Sequence, residues 1–289
     1  MPTIREWRIR LRQELRSIAG EFAPTDADAI LGEVVKANPT QLTLRHNEDV
    51  LPDQESRLKS LLIERLSGVP LGYVLGHVEF YGLDLICDER VLIPRPETEE
   101  LVSVAIRTLP APQDRRHPLV IDVGTGSGNI ALAIAHVRPD VRVIATDVSP
   151  DALDVARANC ARHNLADRVQ FVRGSLLTML RPGLNADLIV SNPPYVPEGD
   201  LDVQRSVHDH EPHLALYSGS DGTEILQDLI QNAIRILKPE GALICEIGYS
   251  QTEQIRRIIS KYDGWSEPIF HRSPAGFDRV VEIHRNDRP

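Results

Sequence analysis

From about residue 97 to the end, the chain alternates short β-rich runs with helical segments, and this alternation limits the folds open to it more than any other feature. Leu119 to Val123, Arg142 to Thr146, Val169 to Val172, Asp187 to Ser191 and Ala242 to Ile247 are the β-rich runs. Ile130 to Val137, Ala152 to His163 and Thr223 to Leu237 carry helical patterns between them. Such alternation predicts a mostly parallel sheet with helices on both faces, a doubly wound α/β domain. Glu267 to His271 and Arg279 to His284 read as two final strands, an antiparallel hairpin at one edge.

The first run leads into Asp122-Val123-Gly124-Thr125-Gly126-Ser127-Gly128-Asn129, directly before a helix. Glycines at such a turn let the backbone approach a ligand, and the helix N-terminus offers free N–H groups to an anion. The dinucleotide fingerprint needs its third glycine three places after the second. Here Asn129 holds that position and Gly128 comes one place early. This GxGxG form suits a nucleoside with an amino-acid tail, whose carboxylate is the anion. Asp147 ends the second strand about 20 residues on, where an acid can accept both ribose hydroxyls.

The fourth run ends in Ser191-Asn192-Pro193-Pro194-Tyr195. Ligands of open parallel sheets sit beyond the carboxyl ends of the strands, which puts this segment beside the nucleoside. An amide or exocyclic amino nitrogen has a delocalised lone pair and N–H donors. The Asn192 side-chain oxygen and the Pro193 carbonyl can each accept one N–H, aiming the lone pair and supporting developing positive charge. Pro193 and Pro194 stiffen the turn, and Tyr195 can stack on a planar group. These parts together point to methyl transfer from a sulfonium to a planar nitrogen, where positioning supplies much of the rate.

With those residues in place, the chain resembles the HemK/PrmC family, the N5-glutamine methyltransferases of peptide chain release factors. Asp122 to Gly128, Asp147 and Asn192 to Tyr195 carry the resemblance. Ile93-Pro94-Arg95-Pro96-Glu97-Thr98-Glu99, Glu211-Pro212-His213-Leu214-Ala215-Leu216 and Glu246-Ile247-Gly248-Tyr249 extend it. The Asn-Pro-Pro-Tyr motif alone is shared with DNA adenine and ribosomal RNA methyltransferases. It leaves methylation of an exocyclic amino group in DNA or RNA as the alternative.

The resemblance implies a class I S-adenosylmethionine-dependent methyltransferase domain. Its substrate would be the glutamine of a Gly-Gly-Gln motif in class I release factors. Gly124, Thr125, Gly126, Ser127, Gly128 and Asp147 would bind the cofactor, with Asn192 bordering it, and Asn192, Pro193, Pro194 and Tyr195 would hold the glutamine amide. Where the family has an acidic adenine contact followed by a large apolar residue, this chain has Ser175 and Leu176. Ser175 can still accept a hydrogen bond and Leu176 can cover one adenine face.

Residues 1–75 read as helices only and predict a small N-terminal bundle, in the family the part that helps to hold the partner. Ile4, Trp7, Leu11, Leu15 and Ile18 form one apolar stripe, while Arg8, Arg12 and Arg16 line another face. A second helix is expected to follow an N-cap at Thr25 and bury Ile30, Leu31, Val34 and Val35; a third follows Pro52 and ends near Gly68. Residues 76–96 predict a β-hairpin linker, and 97–289 form the catalytic domain. The first twenty residues hold five Arg and two Glu, either a solvated face or a contact for an anionic partner. Arg95 and Glu97 read either as an interdomain brace or as a wall of the site.

A formal net charge of −10, from 32 Lys plus Arg against 42 Asp plus Glu, argues against a stable nucleic-acid partner. No apolar stretch approaches the ~18 residues of a membrane span, so a soluble, cytoplasmic protein is expected. Cys87, Cys160 and Cys245 lack metal-ligand spacing and read as buried free thiols. His208, His210 and His213 lie in an acidic loop without helix-fixed spacing, and no metal is expected.

Overall fold

The computed structural model describes residues 1–112, 117–200 and 204–286. The chain divides into two compact units, Met1–His77 with Gln204–His210, and Val78–Val203 with Glu211–Pro289.

The first unit is built from helices α1 (Ile4–Ala19), α2 (Ala23–Val35), α3 (Pro39–Leu44), α4 (Pro52–Leu66) and α5 (Leu71–Leu75). Thr3 caps α1 in a reciprocal box with Glu6, which satisfies two otherwise orphaned N–H groups. Ile4, Trp7, Leu11 and Leu15 are buried against α2 and α4, as the periodicity predicts. Ile18 departs from the stripe and is 38 % exposed, because α1 has reached its last turn there. Thr25 is not the cap of α2. A single 3₁₀ turn, Gly20–Phe22, feeds straight into a helix that begins at Ala23, with Pro24 in its first turn where no N–H is needed. The local positive charge of α1 is partly neutralised within the unit, since Arg8 grips Asp28 through two nitrogens and Arg12 shares the same carboxylate. Helix α4 ends at Leu66, and Gly68 follows at a φ of +101°.

The second unit opens with strands β1 (His77–Phe80) and β2 (Leu83–Ile86), a two-stranded sheet. Tyr81 and Gly82, both at positive φ, make the two-residue turn. Helix α6 (Thr98–Thr108) precedes a sheet of seven strands. These are β3 (Leu119–Val123), β4 (Arg142–Asp147), β5 (Val169–Arg173), β6 (Ala186–Ser191), β7 (Leu237–Glu246), β8 (Ile269–Arg272) and β9 (Asp278–His284). Their spatial order is β5-β4-β3-β6-β7-β9-β8. The first five are parallel, and β9 runs antiparallel between β7 and the edge strand β8.

Alternate residues of β3, β4, β6, β7 and β9 enter two apolar cores. Val120, Leu188, Val190 and Ile244 pack with α6 and with α7 (Asn129–Val137). Ile121, Ile189, Leu243 and Cys245 pack on the other face with α10 (Glu224–Ala233) and α11 (Thr252–Ile259). Helix α8 (Pro150–Arg162) also belongs to this unit, whereas the short α9 (Arg205–His210) belongs to the first.

The helix expected to reach Leu237 stops at Ala233. Ile236 and Leu237 stay buried in the same core, so their apolar spacing continues although the backbone has already turned into β7. The three cysteines are free and buried. No helix among the described residues is long and apolar enough to cross a membrane.

Glu282 on β9 ties the edge of the sheet together. It meets His271 of β8 at 2.7 Å and His284 at 2.9 Å, and accepts from the Thr108 hydroxyl at 3.0 Å. The hydrogen bond from His284, with help from His271 and Thr108, lowers its pKa to about 2, and the same bond raises that of His284. Glu282 therefore stabilises the fold above its ordinary 4.5 and loses that contribution as pH falls toward about 2. His284 contributes below its ordinary 6.5, and the contribution fades as pH rises through its raised value. Thermal unfolding of Glu282→Gln is expected to show its largest deficit between 4.5 and 6.5, shrinking on both sides. A deficit flat across that range would remove the ion pairs as its cause.

Candidate active site

Strand order reverses at β3, which has β4 on one side and β6 on the other. Connections leave in opposite directions there and open a crevice at the carboxyl ends. A cavity of about 290 Å³ occupies it. Its wall includes Gly124, Thr125, Gly126, Ser127, Asp147, Ser175, Leu176, Asn192 and Pro194. Gly128, Pro193 and Tyr195 are close in sequence but do not line it.

The glycine loop folds over the end of β4, with the Gly124 and Thr125 N–H groups both donating to the Thr146 carbonyl at 2.9 Å. Its glycines do two different jobs. A Cβ on Gly124 or Gly126 would meet nothing within 4 Å, so both leave room on the cavity side. A Cβ on Gly128 would press on Leu132 at 3.1 Å and Ala156 at 3.3 Å, so that glycine serves the packing of α7 on α8. Beneath the loop, Asp122 is fully buried and accepts from the Thr125 hydroxyl at 2.6 Å and the Ala131 N–H at 3.1 Å. Burial pushes its pKa up to about 7.

Asp147 is held at the mouth by two backbone donors, Gly126 N–H to Oδ2 and Ser149 N–H to Oδ1, each at 2.9 Å. Each carboxylate oxygen keeps a lone pair for a hydroxyl. Ser175 and Leu176 follow β5 on the neighbouring wall, and Leu176 takes a φ of +52°.

Asn192 begins the loop after β6. Its Nδ2 donates to the Thr98 hydroxyl at 3.2 Å, and Thr98 donates to Glu246 Oε2 at 2.6 Å. Pro193 is buried. Tyr195 turns away from the cavity wall; its hydroxyl donates to Glu246 Oε1 at 3.2 Å and accepts from Arg279 at 3.0 Å. The Arg279 guanidinium lies over its ring, 5.4 Å from the centroid. Burial pushes the Tyr195 pKa up to about 12. Burial also raises that of Glu246, against the Thr98 hydroxyl, the Arg279 charge and the Tyr195 hydroxyl.

Sequence reasoning did not single out Thr98, Glu246, Arg279 or Gln251 as functional. Thr98 and Glu246 lay inside quoted segments without a role, and nothing in the pattern marked Arg279. Arg95 lines the cavity and pairs with Glu211, a nearly fully buried acid that also accepts from the Ile93 N–H. Among the described residues no group of His, Cys, Asp and Glu could hold a metal ion.

Comparison with known proteins gives the family. The profile of a methyltransferase domain matches residues 115–274, and that of the PrmC N-terminal domain matches residues 6–76. The release factor glutamine methyltransferase of Koribacter versatilis is 43 % identical over 234 residues, covering 81 % of each chain. That of Bradyrhizobium diazoefficiens is 37 % identical over 288 residues, 98 % of this chain and 95 % of the relative. The chain belongs to the release factor glutamine methyltransferase family. It is an S-adenosylmethionine-dependent methyltransferase. A solved methyltransferase from Pyrococcus furiosus shares the fold, with a TM-score of 0.52 at 18 % identity over 80 % of this chain and 99 % of that one.

The cavity suits the cofactor of this family. Gly124 and Gly126 leave open space, the Asp147 carboxylate faces it from two backbone anchors, and Ser127 Oγ is a buried polar atom with no partner among the described residues. Gln251 fixes the far end of the loop that begins at Asn192. It donates to the carbonyls of Tyr195 at 3.1 Å and Gly222 at 3.2 Å, and accepts from the Gly248 N–H at 2.8 Å. Gln251→Met keeps the bulk and strips those partners. Urea unfolding is expected to show a loss of about 1–3 kcal/mol for each buried group left unsatisfied. A loss well under that would mean that water takes over the bonds.

Proposed function

We propose that this chain transfers the methyl group of S-adenosylmethionine to the side-chain amide nitrogen of the glutamine in a Gly-Gly-Gln motif of class I release factors. The observation that carries the reading is the Asn192 amide, anchored through its nitrogen and placed on the wall of a cavity suited to a nucleoside. Family membership supports the same substrate. Gly124, Thr125, Gly126, Ser127 and Asp147 would hold the cofactor, with Ser175 and Leu176 at its adenine. Gly128 serves by letting α7 pack on α8.

Bound there, the cofactor supplies a methyl group already activated on a positively charged sulfur. The chain's own residues orient the nitrogen. The Asn192 oxygen and, next to the cavity wall, the Pro193 carbonyl would accept its two N–H groups, which would aim its lone pair and stabilise positive charge on the nitrogen. No strong base is required, since the alkylated nitrogen is acidic enough to release its proton to water. Pro194 forms wall beside Asn192, and Tyr195 contributes by fixing the loop.

Residues 1–75 would recognise the release factor, 76–96 would link, and 97–289 would catalyse. Buried free thiols fit a reducing, cytoplasmic setting. A net charge of −10 weighs against a stable nucleic-acid partner, and no helix among the described residues is long and apolar enough to cross a membrane.

The test is transfer of labelled methyl to a purified class I release factor, with the modified residue located by peptide mass spectrometry. Label is expected on the motif glutamine, absent when that glutamine is replaced, and reduced at least about a hundredfold in Asn192→Ala, the scale of losing an aimed acceptor. Label on DNA or RNA in place of the release factor would overturn the substrate and favour an exocyclic amino group.

A further inference from the structure

The two ends of a carboxamide are nearly equal in size, so packing alone does not choose which faces a substrate; hydrogen-bond partners must. At Asn192 the choice is made from a distance. Thr98 is fully buried, and its hydroxyl has one proton, which goes to Glu246 Oε2 at 2.6 Å. Toward Asn192, Thr98 is then an acceptor only, and the bond at 3.2 Å requires the NH₂ end of the amide. Among the described residues no donor meets Asn192 Oδ1, on a side chain that lines the cavity.

The direction of this chain of bonds depends on Glu246 accepting. Thr98, Tyr195 and Arg279 all converge on it as donors, Arg279 at 3.2 Å, and a guanidinium cannot accept in return. Burial and the nearby Glu97 charge raise the Glu246 pKa, while the Thr98 hydrogen bond, the Arg279 charge and the Tyr195 hydrogen bond act toward the accepting form. A Glu246 that donated to Thr98 would free the Thr98 proton to turn toward Asn192 and would reverse the amide.

Resting on the reading of Asn192 above, we infer that Glu246, anchored by Arg279, is a positioning residue that acts through Thr98 to set which end of the Asn192 amide faces the acceptor nitrogen. Neither Glu246 nor Arg279 touches the reacting atoms in this scheme. On the direction of the Asn192 amide their effect passes through the Thr98 hydroxyl, while both also hold Tyr195 in the same loop.

The experiment uses the full-length protein and the release-factor assay. Thr98→Val replaces the hydroxyl by a methyl at nearly constant volume and is expected to lower kcat by roughly ten- to a hundredfold, the scale of a misplaced catalytic group. KM for S-adenosylmethionine should move by less than about threefold, because the amide acts mainly in the transition state. Thr98→Ser keeps the hydroxyl and should restore most of the lost rate. Thr98 also borders the cavity, so the double variant separates its routes: acting through Asn192, Asn192→Ala combined with Thr98→Val should be no slower than Asn192→Ala alone. Glu246→Gln should follow the same pattern, and carries the test alone if the valine variant fails to bind cofactor.

Losses that multiply in the double variant would overturn the proposal, as would a Thr98→Val rate within about threefold of the parent. If the parent enzyme labels only nucleic acid, the substrate reading fails. The same cycle, run on the labelled nucleic acid, still decides the role of Thr98.

Discussion

Strand β3 lies between two parallel neighbours whose connections leave in opposite directions, and the rest of the catalytic unit follows from that placement. A parallel sheet buried on both faces cannot expose its middle strands along their length, so chemistry is confined to their carboxyl ends. The end of β3 presents the glycine loop, the end of β4 presents Asp147, and the end of β6 presents Asn192. Three short segments far apart in the chain therefore share one cavity wall. The two apolar cores above and below the sheet keep these ends in register, since β3, β4 and β6 each alternate their residues between them.

Within that frame, polar groups withdrawn from water do the positioning. The Asp122 carboxylate holds the turn into α7 from below, and Asp147 faces the cavity from two backbone N–H groups. Glu246 gathers a threonine, a tyrosine and an arginine around one buried carboxylate. Asp122 and Glu246 each cost free energy to bury and recover it only when their partners are in place. A loop secured this way has few alternative conformations, which is what a reaction governed by orientation requires.

Much of the fold was readable from local pattern. The alternation of β-rich and helical runs gave the strand order its ingredients, and the hairpin at Tyr81-Gly82 follows from a turn that tolerates positive φ. The misreadings have physical causes. Apolar spacing reports burial, so it ran through the change from α10 to β7 at Ile236 and Leu237, which share a core. Thr25 has a capping side chain, but the 3₁₀ turn before it had already started the helix. The hairpin expected at the sheet's edge exists, with β9 inserted between β7 and β8, an order that residue pattern does not encode.

By itself the sequence determined the segments whose chemistry is contained in a few consecutive residues: the glycine loop, the acid at the end of β4 and Asn192 to Tyr195. Their conformations are set locally, by glycine's access to positive φ and by proline's fixed ring. Only the tertiary structure decided what surrounds them. Thr98 reaches Glu246 across 148 positions of chain and Asn192 across 94, while Arg279 meets Tyr195 across 84. Hydrogen bonds over such separations depend on which strands lie side by side, and no spacing rule along the chain records that.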